Sequence, residues 1–278
     1  MLSEYNSRVI VRMREKLTGI QNRHREYLEE KENYEHNKEK TDEEIEEPVE
    51  FKEELPDYAL FCTDPREVWM YFGDGLFIPQ LIENDMKWKT YHCFDYEFPT
   101  EEELNHLKGI VIPGNTDNVH DDIDYLKKTR VIILKIYEEH ENVRLVGSCF
   151  GHQIITIALG GEVEHINADV PLILGKIPTK ITKEMKCLKE FKNSFGKDFQ
   201  KEEICILRSH GWIVTKPPPE AIILGTCEYG DNDILLIPER VLSLQAHPEL
   251  SDNFILNTII KRVHANKVTF MGLLSVDN

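Results

Sequence analysis

Short apolar runs alternate with longer amphipathic stretches between residues 58 and 161, and this alternation constrains the fold more than any other feature. The runs YALFC (58–62), TYHCFD (90–95), GIVIP (109–113) and VRLVG (143–147) predict β-strands. Apolar residues at helical spacing predict helices over residues 67–84, 101–107, 121–139 and 153–159. Because alternating strands and helices build a parallel sheet covered on both faces, the pattern predicts an α/β fold with a central, mostly parallel sheet flanked by helices.

The chain beyond residue 161 is richer in predicted strands. Five apolar runs, separated by glycine, proline or acidic residues, predict strands within residues 171–177, 204–210, 221–227, 234–238 and 241–247. The charged segment 182–203 interrupts them with an apolar stripe at helical spacing, formed by Met185, Leu188, Phe191 and Phe195. We therefore expect residues 56–278 to form a single domain with a helical insert at 182–203.

Residues 1–55 differ from the rest, since they are dense in Glu, Lys, Arg and Asn and nearly free of strand-like runs. Apolar residues recur every three or four positions from Val9 to Ile20, which predicts a helix with one narrow apolar stripe. The acidic run that ends at Pro56 has the composition of a linker. We expect a charged N-terminal extension that is helical or partly disordered.

The formal net charge of −17 argues against two classes of partner. Nucleic acids and anionic membrane surfaces both bind basic patches, so neither is expected as a partner. No apolar run reaches the roughly 20 residues that span a bilayer, and the start of the chain lacks the apolar core of a secretory signal. We expect a cytoplasmic protein. Mitochondrial import is the minor alternative, because the start is Arg-rich, although Glu4 and Glu15 oppose it.

The six cysteines, at positions 62, 93, 149, 187, 205 and 227, include no C-x-x-C pair and no Cys/His spacing typical of zinc sites. Neither a disulfide framework nor a metal site is expected, and no motif indicates a cofactor. Most of the six are expected to be small core residues, because free cysteine is among the most buried residue types.

Cys149 is distinguished by its surroundings in LVGSCFGHQII (145–155), where an apolar strand ends and a helix-like pattern begins. In G-x-C-x-G, Gly147 and Gly151 allow the backbone to turn sharply and pass close to its neighbours. The helix that starts there presents unpaired N–H groups and the positive end of its dipole, which favour a thiolate. The pattern alone fits a reactive nucleophile or an ordinary buried cysteine equally well.

A thiolate nucleophile needs a base and a group that orients the base. The segment LSLQAHPEL (242–250) supplies both in His247 and Glu249. In an extended segment, residues two apart face the same way, so these side chains are expected to be neighbours, with Pro248 pointing elsewhere. We predict a catalytic triad of Cys149, His247 and Glu249.

The motifs GSCFGHQ and QAHPE together resemble the class I glutamine amidotransferase superfamily, whose triad is Cys, His and Glu in that order along the chain. The resemblance covers about residues 58–262, and the layout is similar to stand-alone members such as plant γ-glutamyl peptidases. It implies a flavodoxin-like α/β fold and hydrolysis of a γ-glutamyl amide through a γ-glutamyl thioester.

The resemblance also implies an oxyanion hole built from two backbone N–H groups, which map onto Asn115 and Phe150. Asn115 lies in the turn VIPGNTDN, where the family usually has Gly or Ser. Gly114 suits an unusual backbone conformation, and asparagine tolerates left-handed conformations better than most residues. We expect this turn to hold one of the two N–H donors.

Substrate contacts are implied at Gly114 and at two further places. Gln153, in G-H-Q, matches the family residue that binds the α-amino acid end of glutamine, and its amide both donates and accepts. The segment RSHGW (208–212) matches the family segment whose backbone holds the α-carboxylate, which places four residues at the pocket rim: Ser209, His210, Gly211 and Trp212. His152 and His210 are interpreted mainly as packing residues.

Three functions remain open. The first is a self-sufficient, cysteine-dependent hydrolase acting on glutamine or on a γ-glutamyl peptide of the glutathione type. The second is a glutaminase subunit that delivers ammonia to a separate synthetase, its protein partner. The third is a non-catalytic binding or regulatory module, which a nucleophile, a base and an orienting acid together argue against. We favour the first, because no acceptor domain is recognisable in the sequence.

Overall fold

A computed structural model describes residues 54–65, 86–166, 172–196 and 199–250. The strands among these residues are β1 Tyr58–Cys62, β2 Trp88–His92, β3 Gly109–Ile112, β4 Arg144–Ser148, β5 Glu162–His165, β6 Ile173–Ile181, β7 Glu203–His210, β8 Trp212–Lys216, β9 Ile222–Cys227, β10 Gly230–Ile237 and β11 Val241–Leu244. The α-helices are α1 Glu101–His106, α2 Asp124–Glu139, α3 Phe150–Ala158, α4 Lys183–Cys187 and α5 Lys189–Phe195.

Nine of these strands form one sheet in the order β2-β1-β3-β4-β11-β10-β9-β6-β7. Every pairing from β2 to β11 is parallel, and every pairing from β11 to β7 is antiparallel. The remaining two, β5 and β8, pair with each other in a small antiparallel sheet. The predicted α/β fold with parallel central strands flanked by helices is confirmed, and the later strands extend the sheet on one side.

The main core lies between the parallel strands and the helices that cover them. Phe61, Ile110 and Leu145 contribute fully buried side chains from β1, β3 and β4. Helix α2 buries Leu126 and Ile133, seven residues apart and therefore on one face. This packing fixes the carboxyl ends of β1, β3 and β4 at the edge where polar residues gather.

Three boundaries differ from the predictions for physical reasons. Helix α2 begins at Asp124 rather than near 121, because the Asp121 carboxylate accepts a hydrogen bond from the Asn118 N–H in the preceding turn. Helix α3 begins at Phe150, three residues before the predicted start at 153. Cys149 alone makes the turn between β4 and the helix, so the helix can begin at the next residue. In the 182–203 segment two short helices, rather than one, meet at Leu188, whose ψ of 135° ends the first.

The small sheet of β5 and β8 escaped prediction because its strands carry few buried side chains. Only Val163 of β5 is buried, so the segment has no apolar run. The predicted extension (1–55) lies almost wholly outside the described residues, and the predicted helix at 67–84 lies entirely outside them. Within the described ranges, no helix combines the length and apolar character needed to cross a membrane.

Candidate active site

Cys149 lies at the sharp junction between β4 and α3, where it is the residue that precedes the helix. Its φ of 51° and ψ of −104° belong to a region that residues with a side chain rarely adopt. Such a conformation costs on the order of 1–3 kcal/mol and persists only where the surroundings impose it. The junction therefore holds Cys149 in a strained position.

Two glycines make this junction sterically feasible. A Cβ atom on Gly151 would lie 1.8 Å from the Ile112 carbonyl oxygen, and one on Gly147 would lie 2.6 Å from the Gly151 carbonyl carbon. Helix α3 thus passes so close to the end of β3 that a larger residue would collide with backbone. The predicted role of the glycines in a close approach is confirmed by these distances.

The surroundings of Cys149 suit a nucleophile that is only slightly exposed, at 6% of its surface. Its N–H donates to the Leu244 carbonyl at 2.9 Å, which ties the turn to β11. Its sulfur lies 3.8 Å from the Ser209 carbonyl oxygen. The next N–H, that of Phe150, is the first of α3 and has no acceptor within its own helix.

His247 and Glu249 form a buried pair just after β11. His247 Nδ1 and Glu249 Oε1 are 2.6 Å apart, and the two residues are 2% and 7% exposed. Residues 247–250 form a turn rather than the extended segment we expected, with the Leu250 N–H directed at the His247 carbonyl at 3.4 Å. Proline at the second position of such a turn is favoured, so Pro248 makes the tight reversal that brings the two side chains together.

The electrostatics of the pair favour a charged imidazole. Burial opposes the charge, but the negative charges of Glu249 and of a Cys149 thiolate outweigh it and raise the pKa of His247 well above its usual value. The other ring nitrogen, His247 Nε2, is buried and has no hydrogen-bond partner among the described residues. The Cys149 side chain lies close enough to contribute to the raised pKa of His247.

The turn after β3 lies against both Cys149 and His247. A Cβ on Gly114 would lie 2.9 Å from His247 Cε1 and 3.8 Å from Cys149 Cβ. Neither Gly114 nor Asn115 has a positive φ. The prediction of an unusual backbone conformation in this turn is therefore wrong. Glycine is needed here because the histidine ring fills the space of a side chain.

Hydrogen bonds within this turn and to the residues just after β1 hold the turn in shape. Asn115 Nδ2 donates to the Thr63 carbonyl at 2.7 Å, and Asn115 Oδ1 accepts from the Asp117 N–H at 2.8 Å. The buried Asp64 carboxylate accepts from both the N–H and the hydroxyl of Thr116 at 2.9 Å. Sequence reasoning missed Asp64; the signal was a pair of polar residues directly after a strand that is otherwise apolar.

Gln153 lies on α3, one turn after the nucleophile. Its Nε2 donates to the Trp212 carbonyl at 2.9 Å and to Gln245 Oε1 at 3.1 Å. These bonds use both hydrogens of the amide. A ligand is therefore offered the amide oxygen, an acceptor, rather than the two-way contact expected from the sequence.

The segment from Ser209 to Trp212 lies against Cys149 and helix α3. His210 Nδ1 lies 3.0 Å from the Trp212 carbonyl oxygen, and Gly211 accepts a hydrogen bond from the Ile166 N–H at 3.0 Å. The half-buried Trp212 ring has histidine rings on two sides, with centroids 5.4 Å (His120) and 5.3 Å (His165) away. The Ser209 backbone is the part of this segment that reaches Cys149.

His152 and His210 are buried neutral residues. Burial lowers the pKa of His152 to about 4 and that of His210 to about 3. His152 lies between Ser243 Oγ at 2.8 Å and the Asn232 carbonyl oxygen at 3.0 Å, which satisfies both ring nitrogens. This environment agrees with a packing role for His152, whereas His210 Nε2 is buried without a hydrogen-bond partner among the described residues.

Sequence reasoning missed a buried ion pair behind the pocket wall. Arg208 is fully buried, and its guanidinium donates to both oxygens of Asp233, at 2.5 and 2.6 Å. Thr179 Oγ1 donates to the same carboxylate at 2.7 Å. Burial works against a charged Asp233, but Arg208 outweighs it and lowers the pKa of that carboxyl. The pair links β7 to β10. Arg208 directly precedes Ser209, whose carbonyl oxygen contacts the Cys149 sulfur.

Among the residues that the structure describes, no group of three or more His, Cys, Asp or Glu side chains is arranged to hold a metal ion.

The sequence model for glutamine amidotransferase class-I matches residues 78–263, about two thirds of the chain. This chain belongs to the class-I glutamine amidotransferase family. It is 31% identical to γ-glutamyl peptidase 4 of Arabidopsis thaliana over 212 residues, which cover 75% of this chain and 81% of the relative. It is 24% identical to the glutamine-hydrolysing GMP synthase of Bacillus licheniformis over 182 residues, which cover 64% of this chain and 32% of that enzyme.

Solved structures agree on the fold. The crystal structure of a glutamine amidotransferase from Thermotoga maritima superposes with a TM-score of 0.59 at 16% identity, covering 78% of this chain and 87% of that one. The predicted family is therefore confirmed, and an enzyme of the amidotransferase and γ-glutamyl hydrolase type is supported.

Proposed function

We propose that this protein is a cysteine-dependent hydrolase that cleaves a γ-glutamyl amide bond through a γ-glutamyl thioester on Cys149. The observation that carries the proposal is the convergence of Cys149 and His247 against Gly114, with Glu249 2.6 Å from the far side of the histidine ring. A nucleophile, a base and an orienting carboxylate in this relation are what acyl transfer requires.

In the first half of the reaction, the Cys149 thiolate attacks the carbonyl carbon of the amide. The raised pKa of His247 favours a ring that carries a proton before substrate arrives. His247 Nε2 then gives this proton to the departing nitrogen, and the C–N bond breaks to leave a thioester. Glu249 keeps the Nδ1 hydrogen in place and offsets the charge of the imidazolium.

The tetrahedral intermediate places a negative charge on the former carbonyl oxygen. The N–H of Phe150, at the start of α3, is one donor for this oxygen, and the helix dipole adds a positive field. The N–H of Asn115 is the second, in a turn that its own side chain fixes to Thr63. Both donors belong to backbone that is held in place, by helix α3 and by the turn after β3, and such preorganisation limits the rearrangement needed when the charge develops.

The second half of the reaction repeats these roles with water. The neutral His247 formed in the first half takes a proton from water, and the resulting hydroxide attacks the thioester. The C–S bond breaks, glutamate leaves, and the thiolate and imidazolium are restored. No cofactor enters this sequence of steps.

The glutamate half of the substrate is recognised by Gln153 and by the wall from Ser209 to Trp212. The amide oxygen of Gln153 accepts from the α-ammonium group, because its two hydrogens are already used within the protein. Backbone groups around Gly211 hold the α-carboxylate. This half is common to glutamine and to γ-glutamyl peptides, so these substrates differ only in the leaving group.

We propose an amino acid or peptide as the leaving group, since the relative at 31% identity is named a γ-glutamyl peptidase and matches over most of its length. The similarity to a GMP synthase, which covers only 32% of that enzyme, favours the second candidate, a glutaminase that supplies ammonia to a separate protein. A soluble enzyme of the cytoplasm fits either reaction, since both substrates are small and polar.

The test compares products from glutathione, a γ-glutamyl dipeptide and glutamine with the purified full chain. We expect faster release of amine product from the peptides than of ammonia from glutamine. Cys149→Ala serves as the blank, and Cys205→Ser, which removes an exposed thiol, is the matched control that should retain activity. Faster hydrolysis of glutamine would favour the second candidate, and equal rates for Cys149→Ala and the unaltered chain would overturn the hydrolase proposal.

A further inference from the structure

Ser148 is a buried hydroxyl directly before the nucleophile, and none of the steps above uses it. It is 1% exposed at the end of β4. Its Oγ lies 3.3 Å from Glu249 Oε2, 3.5 Å from Glu249 Oε1 and 3.1 Å from the Ala246 carbonyl oxygen. One hydroxyl therefore faces both the carboxylate behind His247 and the backbone just before His247.

The single hydrogen of this hydroxyl has one charged and one neutral acceptor to choose from. Hydrogen bonds to an ionised acceptor are roughly twice as strong as those between neutral groups. A carboxylate that is only 7% exposed also has a large need for donors, because an unpaired buried charge is costly. The carboxylate is therefore the favoured acceptor while Glu249 is charged, and the Ala246 carbonyl is the alternative.

We propose that Ser148 is a positioning residue, whose hydroxyl holds the Glu249 carboxylate so that Oε1 stays on His247 Nδ1. Its effect on turnover rests on the proposed hydrolase function, whereas its effect on the His247–Glu249 pair does not. Ser148 thereby joins Cys149, His247 and Glu249 as a fourth residue of the site.

The place of Ser148 in the sheet explains why this contact matters. Ser148 pairs in register with Leu244 of the neighbouring parallel strand β11, and His247 follows three residues after Leu244. Backbone pairing ends at this point, so beyond it the turn that carries His247 is tied to β4 by side chains. The Ser148 hydroxyl links the strand that ends in the nucleophile to the acid that orients the base.

Ser243 offers a matched control on the adjacent strand. It is also 1% exposed, and its hydroxyl also pairs with a buried side chain, His152 Nδ1, at 2.8 Å. Ser243→Ala therefore removes a comparable buried hydroxyl without touching Glu249. Loss of stability alone would affect both variants alike.

The kinetic experiment compares Ser148→Ala, Ser148→Thr and Ser243→Ala with the better substrate found for the full chain. Removing a hydrogen bond to a charged group is expected to lower kcat about tenfold in Ser148→Ala, with KM changed less than about twofold. Ser148→Thr, which keeps the hydroxyl, should recover most of the rate, and Ser243→Ala should retain it. An equal loss of kcat in Ser148→Ala and Ser243→Ala would overturn the proposal.

The pH profile supplies a readout that a purely structural role would not move. The charges of Glu249 and Cys149 act on the His247 ring, and the neighbouring strand β7 carries the charged Arg208 and His210, which stays neutral because its pKa is about 3. Since Glu249 helps to raise the pKa of His247, a loosened carboxylate should move the alkaline limb of kcat/KM to lower pH in Ser148→Ala. An unmoved limb together with a full kcat would contradict the proposal.

A spectroscopic measurement separates this inference from the proposed function. The hydrogen between His247 Nδ1 and Glu249 Oε1 should give a downfield proton resonance in the full chain, assigned by its loss in His247→Gln. We expect it to shift upfield or broaden away in Ser148→Ala and to persist in Ser148→Thr and Ser243→Ala. This outcome supports the positioning role even if no substrate is hydrolysed, whereas an unchanged resonance in Ser148→Ala refutes it.

Discussion

The two halves of the nine-stranded sheet position the candidate site by different physical means. The parallel half, from β2 to β11, holds Cys149 by shape, through apolar packing and through glycines that a larger residue would bring into collision with backbone. The antiparallel half, from β10 to β7, holds the pocket wall through buried polar groups such as Arg208, Asp233 and His210. The position of Cys149 thus depends on sterics, and the segment beside it depends on charge and hydrogen bonding.

This difference has consequences for how each half responds to change. A steric constraint is insensitive to pH but is broken by one added methyl group. A buried polar network is insensitive to small changes in volume, but it fails when one partner loses its charge or gains a proton. The following variants and conditions separate the two behaviours.

The largest effect is expected from Gly151→Ala in the parallel half. The new Cβ would lie 1.8 Å from the Ile112 carbonyl oxygen, so α3 or β3 must move. We expect the free energy of unfolding to fall by more than about 5 kcal/mol, or no folded protein to be recovered. Gly230→Ala in the antiparallel half is the matched control, because its Cβ would come no closer than 3.5 Å to any neighbour. Equal stability of the two variants in urea would refute the steric account.

Asp233→Ala should have the next largest effect, in the antiparallel half. It leaves the fully buried Arg208 guanidinium without its charged partner, which typically costs about 3–5 kcal/mol. Replacing both residues, as in Arg208→Met with Asp233→Leu, should restore much of the loss because no unpaired charge remains. Urea unfolding of the single and double variants checks this, and a double variant less stable than Asp233→Ala would contradict it.

A smaller effect is expected from pH, again in the antiparallel half and its neighbour α3. The pKa values of His152 and His210, about 4 and about 3, lie below the usual histidine value, so the unfolded chain binds more protons below about pH 6.5. Stability should therefore fall as the pH falls from 6.5 towards 5, by up to about 1.4 kcal/mol per pH unit for each histidine.

His247 does not disturb this window. Its pKa is raised in the folded protein, so its contribution is complete below about pH 6.5 and is lost only as the pH rises through the folded value. His152→Gln should reduce the slope of stability against pH between 6.5 and 5 by about half, because one of the two depressed histidines is gone. Denaturation midpoints at several pH values measure the slope, and a variant with the full slope would contradict the assignment.

The sequence predicted the parallel half better than the antiparallel half. Strand β3 and the junction at Cys149 follow from local signals, namely an apolar run and a G-x-C-x-G pattern. The pairing of Arg208 with Asp233 has no local signal, because it joins residues 25 positions apart through a strand order that periodicity does not specify. The contact of Ser148 with Glu249 spans 101 positions and escaped prediction for the same reason.

Local geometry at the base was also beyond the sequence pattern. His247 and Glu249 were predicted as neighbours on an extended strand, yet they meet through a turn at Pro248. The contact between the two side chains was predicted correctly, but the backbone conformation that produces it was not. A two-residue spacing fits both a strand and a tight turn. Gly114 is a similar case, in which glycine was expected for its backbone freedom and is instead required by the His247 ring.

The central claim, that Cys149 is the nucleophile, is tested most directly by trapping it. The full chain is treated at neutral pH with a limiting amount of a glutamine analogue that carries a chloromethyl ketone in place of the side-chain amide, and the modified peptide is identified by mass spectrometry. Cys187 and Cys205 are exposed, whereas Cys149 is only 6% exposed, so reactivity governed by access alone would favour the first two. We predict a single adduct on Cys149, formed more slowly in His247→Ala; modification of Cys187, Cys205 or Cys62 ahead of Cys149 would contradict the account.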